Sequence, residues 1–270
     1  MNEPWLIDTH CHLNLGQYSD DYFAVLDEAL ENNVAVLIPG CDFESSKKSV
    51  EIAEQYKGKS VWAAIGQHPT DTAEGWDEKA YRVLAQSDHV VAIGEIGLDY
   101  FHVSDDEQER DLMIKQQKEV LLGQLALAHN LEKPVIIHCR DAYDDLLEIL
   151  LHQFGQWTGD RERGVIHCFT GNHADSQNCL ALGFLISFTG IITFTDQYAT
   201  IIKEIPIEKI MIETDAPFLT PVPYRGKRNH PRYVEYVARK VAEIKGISYE
   251  EVAMQTRKNA ERLFNIQIAQ

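Results

Sequence analysis

The sequence is short of positive charge. It carries 25 Lys and Arg against 42 Asp and Glu in 270 residues, a formal charge of -17. That excludes a broad electrostatic nucleic-acid surface, which is normally basic. It leaves room for a nucleic-acid substrate held locally at a metal. Cysteine is scarce as well: Cys11, Cys41, Cys139, Cys168 and Cys179 are odd in number and form no Cys-x-x-Cys pair. A reduced, intracellular protein fits that usage. No run approaches the ~18 consecutive apolar residues of a membrane span, and no basic segment leads into an apolar one at Met1–His12. The expectation is a cytoplasmic protein with neither a secretory signal nor a membrane partner. There is no self-similar repeat, low-complexity tract or Gly/Ser linker, so residues 1–270 read as one domain.

What is present is ordinary for a globular chain: 44% apolar and 25% charged residues. A chain of this length buries a large core without disulfides or a structural metal, so a metal here would be catalytic. Short apolar runs alternate with longer amphipathic ones. The runs Trp5–Asp8, Val34–Pro39, Ser60–Gly66, Val90–Glu95, Pro134–His138, Gly164–Cys168, Phe184–Phe188 and Lys209–Glu213 are rich in Val, Ile and Leu, as strands buried on both faces are. Helical spacing marks Tyr22–Glu31, Asp77–Ala85, Glu107–His129, Tyr143–Phe154, Pro231–Lys245 and Tyr249–Phe264, the last behind a capping-box pattern at Ser248–Glu251. Alternation of strand and helix implies parallel βαβ units. Eight of them suggest an α/β fold of the (β/α)8 TIM-barrel type in preference to a doubly wound sheet, with chemistry at the C-terminal strand ends.

Those strand ends carry metal-ligand chemistry. Strand one ends in Asp8-Thr9-His10-Cys11-His12, where alternation turns His10 and His12 to one side. Alone, such a pair is a weak signal, because a single histidine is more often a satisfied core residue. But Glu95, His138, His167 and Asp215 end four further apolar runs. A buried imidazole or carboxylate is costly without a partner, so the repetition points to a divalent ion. These six residues exceed the three that a catalytic zinc usually takes. They read as two divalent ions bridged by Glu95. The mixed N/O set admits Zn, Mn, Ni, Fe or Mg without choosing.

These residues, with Gly66-Gln67-His68-Pro69, Gly94-Glu95-Ile96-Gly97-Leu98-Asp99-Tyr100, His138-Cys139-Arg140-Asp141-Ala142, His167-Cys168-Phe169-Thr170-Gly171 and Glu213-Thr214-Asp215-Ala216-Pro217, make the chain resemble the TatD family of metal-dependent deoxyribonucleases. That family lies within the amidohydrolase superfamily. The resemblance runs from Asp8 to Phe264. It implies a (β/α)8 fold, with His10, His12, Glu95 and Asp215 holding one metal and Glu95, His138 and His167 the other. It also implies exonuclease or endonuclease activity on DNA. Some TatD-like proteins are linked instead to removing D-amino acids from tRNA. The loop Pro221–Pro231 resembles the family's loop after strand eight. Most relatives have an acidic residue before its final proline, where this chain has His230.

Other residues are expected around the metals. His68 either contacts substrate phosphate or supports a ligand; a purely structural role before Pro69 is the plainer alternative. Asp99 is expected to orient a ligand histidine or to cap its loop. Arg140 suits a phosphate or a salt bridge to a nearby Asp. Arg225, Lys227 and Arg228 form a short basic cluster where barrels often bind phosphate. Cys11, Cys139 and Cys168 alternate away from the site and read as small apolar residues. The expected chemistry is metal-assisted hydrolysis through a metal-activated water, with Asp215 and Glu95 as catalytic carboxylates and a DNA strand or end as substrate. An ester or amide hydrolase acting on aminoacyl-tRNA or a small molecule is the alternative.

Overall fold

A computed structural model of the chain describes residues 5–155 and 161–269. Eight strands run parallel in sequence order: β1 (Leu6–Asp8), β2 (Val34–Pro39), β3 (Val61–Ile65), β4 (Val90–Asp99), β5 (Val135–Arg140), β6 (Gly164–Ile166), β7 (Phe184–Phe188) and β8 (Ile210–Ile212). The seam between β8 and β1 carries hydrogen bonds where a ladder is absent. Thr9 N and Oγ1 both donate to Ile212 O, Asp215 N donates to His10 O at 2.9 Å, and His12 N donates to Ala216 O at 2.7 Å. The result is the expected (β/α)8 barrel.

Nine α-helices are described: α1 (Tyr22–Glu31), α2 (Phe43–Gln55), α3 (Glu78–Leu84), α4 (Glu107–Asn130), α5 (Tyr143–Phe154), α6 (His173–Ala181), α7 (Ala199–Glu204), α8 (Val234–Lys245) and α9 (Tyr249–Phe264). The amphipathic pattern anticipates α1, α3, α4, α5, α8 and α9. It misses α2, α6 and the short α7. The reason lies in how the first two pack. α2 buries Ser46 and Ser49 beside Val50, Ile52 and Ala53, and α6 buries Asp175, Ser176 and Cys179. Buried serines and an aspartate lower the apolar content of these faces, and α6 keeps little hydrophobic period at all. Ser46 Oγ accepts from Gly66 N and donates to Gly66 O, both at 3.1 Å. A Cβ on Gly40 would lie 2.1 Å from that hydroxyl, so glycine permits this close helix. Ser248 Oγ accepts from Glu251 N at 3.1 Å, supplying one half of the anticipated capping box. Pro231 opens a separate 3-10 turn, Pro231–Tyr233, ahead of α8.

Apolar residues fill two layers. Ile7, Leu37, Ala64, Ala92, Ile136, Val165, Leu185 and Met211 face the barrel interior, which Leu263 and Phe264 at the end of α9 and Ile266 and Ile268 beyond it cover. The other strand face packs against the helices and includes Cys11 and Cys139. The interior plug leaves only the C-terminal strand ends for a site. Among the described residues no helix is long and apolar enough to cross a membrane.

Candidate metal centre

All six expected ligands meet at one mouth of the barrel. His10 Nε2 lies 3.1 Å from His12 Nε2 and 3.2 Å from Glu95 Oε2. Asp215 Oδ1 lies 3.4 Å from His12 Nε2 and 3.9 Å from His10 Nε2. On the other side, Glu95 Oε1 is 2.8 Å from His167 Nε2 and 3.0 Å from His138 Nδ1. The two carboxylate oxygens of Glu95 therefore face different histidine pairs. The His10 and His167 rings stack with centroids 3.9 Å apart.

The local reasons differ from the expected ones at three places. The β1 ladder stops at Asp8, so His10 and His12 share a side because the chain is held by β8, with a single bridge from Cys11 to Ala216. Glu95 lies within β4, not at its end, where the register against β5 shifts between Ile93 and Ile96. β5 also runs past His138 to Arg140.

The donor set fits a divalent cation. Four imidazoles and two carboxylates converge with no Lys or Arg among them, and several N···N and N···O separations are 3.1 to 3.5 Å. Two ligand atoms that share a tetrahedral ion at ~2.0–2.2 Å keep about that spacing. Burial pushes the Glu95 carboxyl up, but the imidazoles of His167, His68 and His10 outweigh it and hold it well below the usual carboxylate range. Burial likewise raises Asp215, and His12 and His10 bring it below its ordinary value. Both carboxylates face the cluster ionised.

A surrounding shell holds the rings. Asp99 Oδ2 lies 3.1 Å from His138 Nε2, whose Nδ1 lies 3.0 Å from Glu95 Oε1; the same residue also caps its loop, so both expected positions coincide. Asp99 is itself held by His102 Nδ1 at 2.9 Å and by the N–H of Phe101 and His102. Glu213 Oε1 accepts from Cys168 N at 2.6 Å and lies 3.3 Å from His167 Nδ1. Cys41 Sγ lies 3.6 Å from His12 Nδ1. Sequence reasoning assigned no role to His102, Glu213 or Cys41. Glu213 had a signal, since it lies two residues before Asp215, the same spacing that paired His10 with His12. Cys41 and His102 come from loops and had none.

His68 joins the cluster, with Nε2 3.4 Å from Glu95 Oε1 and its ring 4.4 Å from that of His138. It also caps the turn Pro69–Glu74, so the structural and site positions coincide. Arg140 lies 3.5 Å over the Phe101 ring and Arg225 3.7 Å over Phe194; neither salt-bridges a carboxylate among the described residues. Among the described residues the salt bridge to a nearby Asp weighed for Arg140 is not found. Lys227 is exposed. Arg228 departs from its basic neighbours: it grips Asp21 through both terminal nitrogens and donates to Gln17 O. His230 Nδ1 accepts from Arg232 N at 3.1 Å, and its Nε2 lies 3.2 Å from Glu28. It performs the N-terminal capping that an acidic residue at this position would perform.

A family model described as TatD related DNase matches residues 7–265. The chain belongs to the TatD family. This TatD-family chain is 41% identical over 266 residues to an uncharacterised metal-dependent hydrolase, YabD, of Bacillus subtilis, covering 97% of this chain and 99% of the relative. It is 33% identical over 272 residues to the 3′-5′ ssDNA/RNA exonuclease TatD of Yersinia pseudotuberculosis, covering 97% and 100%. The crystal structure of the Escherichia coli TatD homologue YJJV superposes with a TM-score of 0.84 at 30% identity, over 97% of this chain and 98% of that one. The chain is a metal-dependent hydrolase built as a TIM barrel.

Proposed function

We propose that this hydrolase is a nuclease that cleaves phosphodiester bonds at the end of a single strand, with DNA as the first substrate to test and RNA the second. The observation that carries the reading is the company of the cluster. In a chain of charge -17, Arg140, at the end of β5, and Arg225, on the loop after β8, stand at the cluster's own mouth with no carboxylate partner among the described residues. Guanidinium matches phosphate geometry. The Yersinia relative's name supports the same substrate class.

In this reading two divalent ions, drawn from Zn, Mn, Ni, Fe or Mg, would be held by His10, His12, Glu95 and Asp215 on one side and by Glu95, His138 and His167 on the other. When bound, such ions supply a nucleophile at neutral pH and offset charge developing on phosphoryl oxygens. Glu95 joins the two halves. Asp99 and Glu213 fix the rings of His138 and His167. Asp215 is the more open of the two carboxylates, with 15% of its side chain exposed against 4% for Glu95. It accepts the proton of the attacking water at the oxygen turned away from His10 and His12. His68, Arg140, Arg225 and Lys227 bind substrate. The free thiols suit a reducing compartment, and we place the protein in the cytoplasm.

The test is an oligonucleotide carrying distinguishable 3′ and 5′ labels, incubated with each divalent metal in turn beside His138→Ala. Stepwise shortening from one end by the parent, and none by the variant, supports the reading. Hydrolysis of an aminoacyl ester or an N-acyl amide with both oligonucleotide labels untouched replaces it with the ester or amide alternative.

A further inference from the structure

The mouth carries an aromatic feature that the hydrolytic chemistry does not use. Four phenylalanines among the described residues are strongly exposed: Phe23, Phe101, Phe194 and Phe218. Phe23 lies on α1 and stacks with Tyr22 and Tyr56. The other three sit on the loops after β4, β7 and β8 with 55%, 41% and 47% of their surface open. Single exposed apolar residues need no explanation. Three phenyls on one functional rim do, because each is tied to the cluster or its loops. The Phe101 N–H donates to Asp99 at 3.0 Å, and the same carboxylate holds His138. The Phe218 N–H donates to Asp215 O at 2.8 Å, and its ring lies 6.4 Å from that of His12. Phe194 follows Thr193, whose hydroxyl accepts from Val222 N in the loop after β8 at 3.0 Å. Two of the rings carry an arginine on one face.

We infer that Phe101, Phe194 and Phe218 are stacking platforms for unpaired nucleobases flanking the scissile phosphate, with Arg140 and Arg225 meeting the adjoining phosphates. The inference rests on the nuclease reading and extends it to how the strand is held. Strand order puts the Phe101/Arg140 pair, after β4 and at the end of β5, across the mouth from the Phe194/Arg225 pair, after β7 and β8. A strand passing over the cluster meets a ring and a guanidinium on each side. Base stacking on aromatic side chains is tolerant of sequence and requires that the base be unpaired. It also supplies affinity to a protein of net charge -17, where long-range electrostatic attraction for a strand is weak.

The experiment measures KM and kcat on metal-loaded protein for a short oligothymidylate. The same strand with abasic residues at the nucleotides flanking the scissile one serves as comparison. It keeps every phosphate and lacks the stacking faces. Abasic substitution is expected to raise the parent's KM by roughly 5- to 160-fold, the range for one stacked base. Phe101→Ala and Phe194→Ala are each expected to raise KM on the intact strand and to narrow the gap between the two strands. Phe194→Tyr, which keeps a π-face, is expected to restore discrimination. Both rings are exposed, so these variants are expected to fold. Equal KM for intact and abasic strands in a parent that cleaves both overturns the platforms and leaves the nuclease reading standing. An equal rise on both strands in the Phe variants assigns the rings to shielding the cluster and also overturns the inference. A parent that cleaves neither strand while hydrolysing an aminoacyl ester sinks the nuclease reading itself.

Discussion

At one end of the barrel interior, Leu263, Phe264, Ile266 and Ile268 seal the strands with apolar side chains. At the other, His10, His12, Glu95 and His167 occupy equivalent space. Phe264 is 3% exposed and Glu95 is also 3% exposed, while His10 is fully buried. Equal burial hides opposite energetics. Removing apolar surface from water is favourable in itself. Removing imidazoles and carboxylates from water is costly unless each finds a partner. The sealed end needs no further component. The open end concentrates ionisable groups that a divalent cation would satisfy together. The lesson is that buried residues of the two ends belong to different ledgers, one of stability and one of chemistry.

Substitutions can separate the two. The largest effect is expected from Asp215→Asn, which keeps the size but removes the charge and most of the basicity. Loss of general-base assistance is worth roughly 10²–10⁴-fold in rate. Steady-state kcat on the oligonucleotide checks this beside metal analysis; parental kcat at full metal content would show that another group takes the proton. At the sealed end, Phe264→Ala is expected to cost about 3–5 kcal/mol of stability. Urea unfolding with and without chelator reads it, and the loss is expected to be the same in both. A loss present only with metal would mean that the two ends are coupled.

Chelation of the parent is a smaller perturbation and the converse one. A ligand present at 100 times its Kd stabilises by ~2.7 kcal/mol, so removing metal is expected to lower Tm and adding it back to restore Tm. No change in Tm would mean that the folded cluster binds the ion no better than the unfolded chain does. Arg225→Ala is expected to raise KM about tenfold, equivalent to 1.4 kcal/mol, with a smaller change in kcat. It is also expected to reduce the salt dependence of log KM by ~0.7 for the lost phosphate contact. An unchanged slope removes Arg225 from the phosphate path.

The smallest effect belongs to the polar rim near the sealed end, where Lys209 and Arg262 hold Glu162 at 3.2 and 3.0 Å. Burial raises this carboxyl, but its hydrogen bonds to Arg262 and Lys209 prevail and lower it from 4.5. A depressed carboxylate contributes stability above its unfolded pKa and loses it as pH falls through the folded value. Glu162→Gln is therefore expected to cost under about 1 kcal/mol at pH 7. The difference from parent is expected to vanish as pH drops below 4.5. A difference that persists there would show packing, not charge, at that rim.

The six convergent residues were legible because each strand announces itself as an apolar run and each polar residue interrupts or follows one. That pattern is local, and parallel βαβ order turns it into a shared mouth. The helices α2 and α6 were illegible for the matching reason: they pack through Ser46, Ser49, Asp175 and Ser176, so their buried faces look polar. The roles of neighbours divided likewise. Asp99 was readable from its place beyond Glu95. Arg228 was not separable from Arg225 and Lys227, because its partner Asp21 lies 207 residues away in sequence.

The sequence by itself determined the order of the apolar runs, the six residues proposed to hold a cation and the family resemblance, since these depend on residue type and short spacing; only the fold adds His68 and Glu213 to the groups that could hold an ion. Tertiary structure decided the rest. The β8 seam aligns His10 with His12 after their ladder has ended, and the shift within β4 turns Glu95 toward both histidine pairs. The loops place Cys41, His102 and three phenyl rings around the mouth. Each of these depends on contacts between segments far apart in the chain, whose geometry no local pattern encodes.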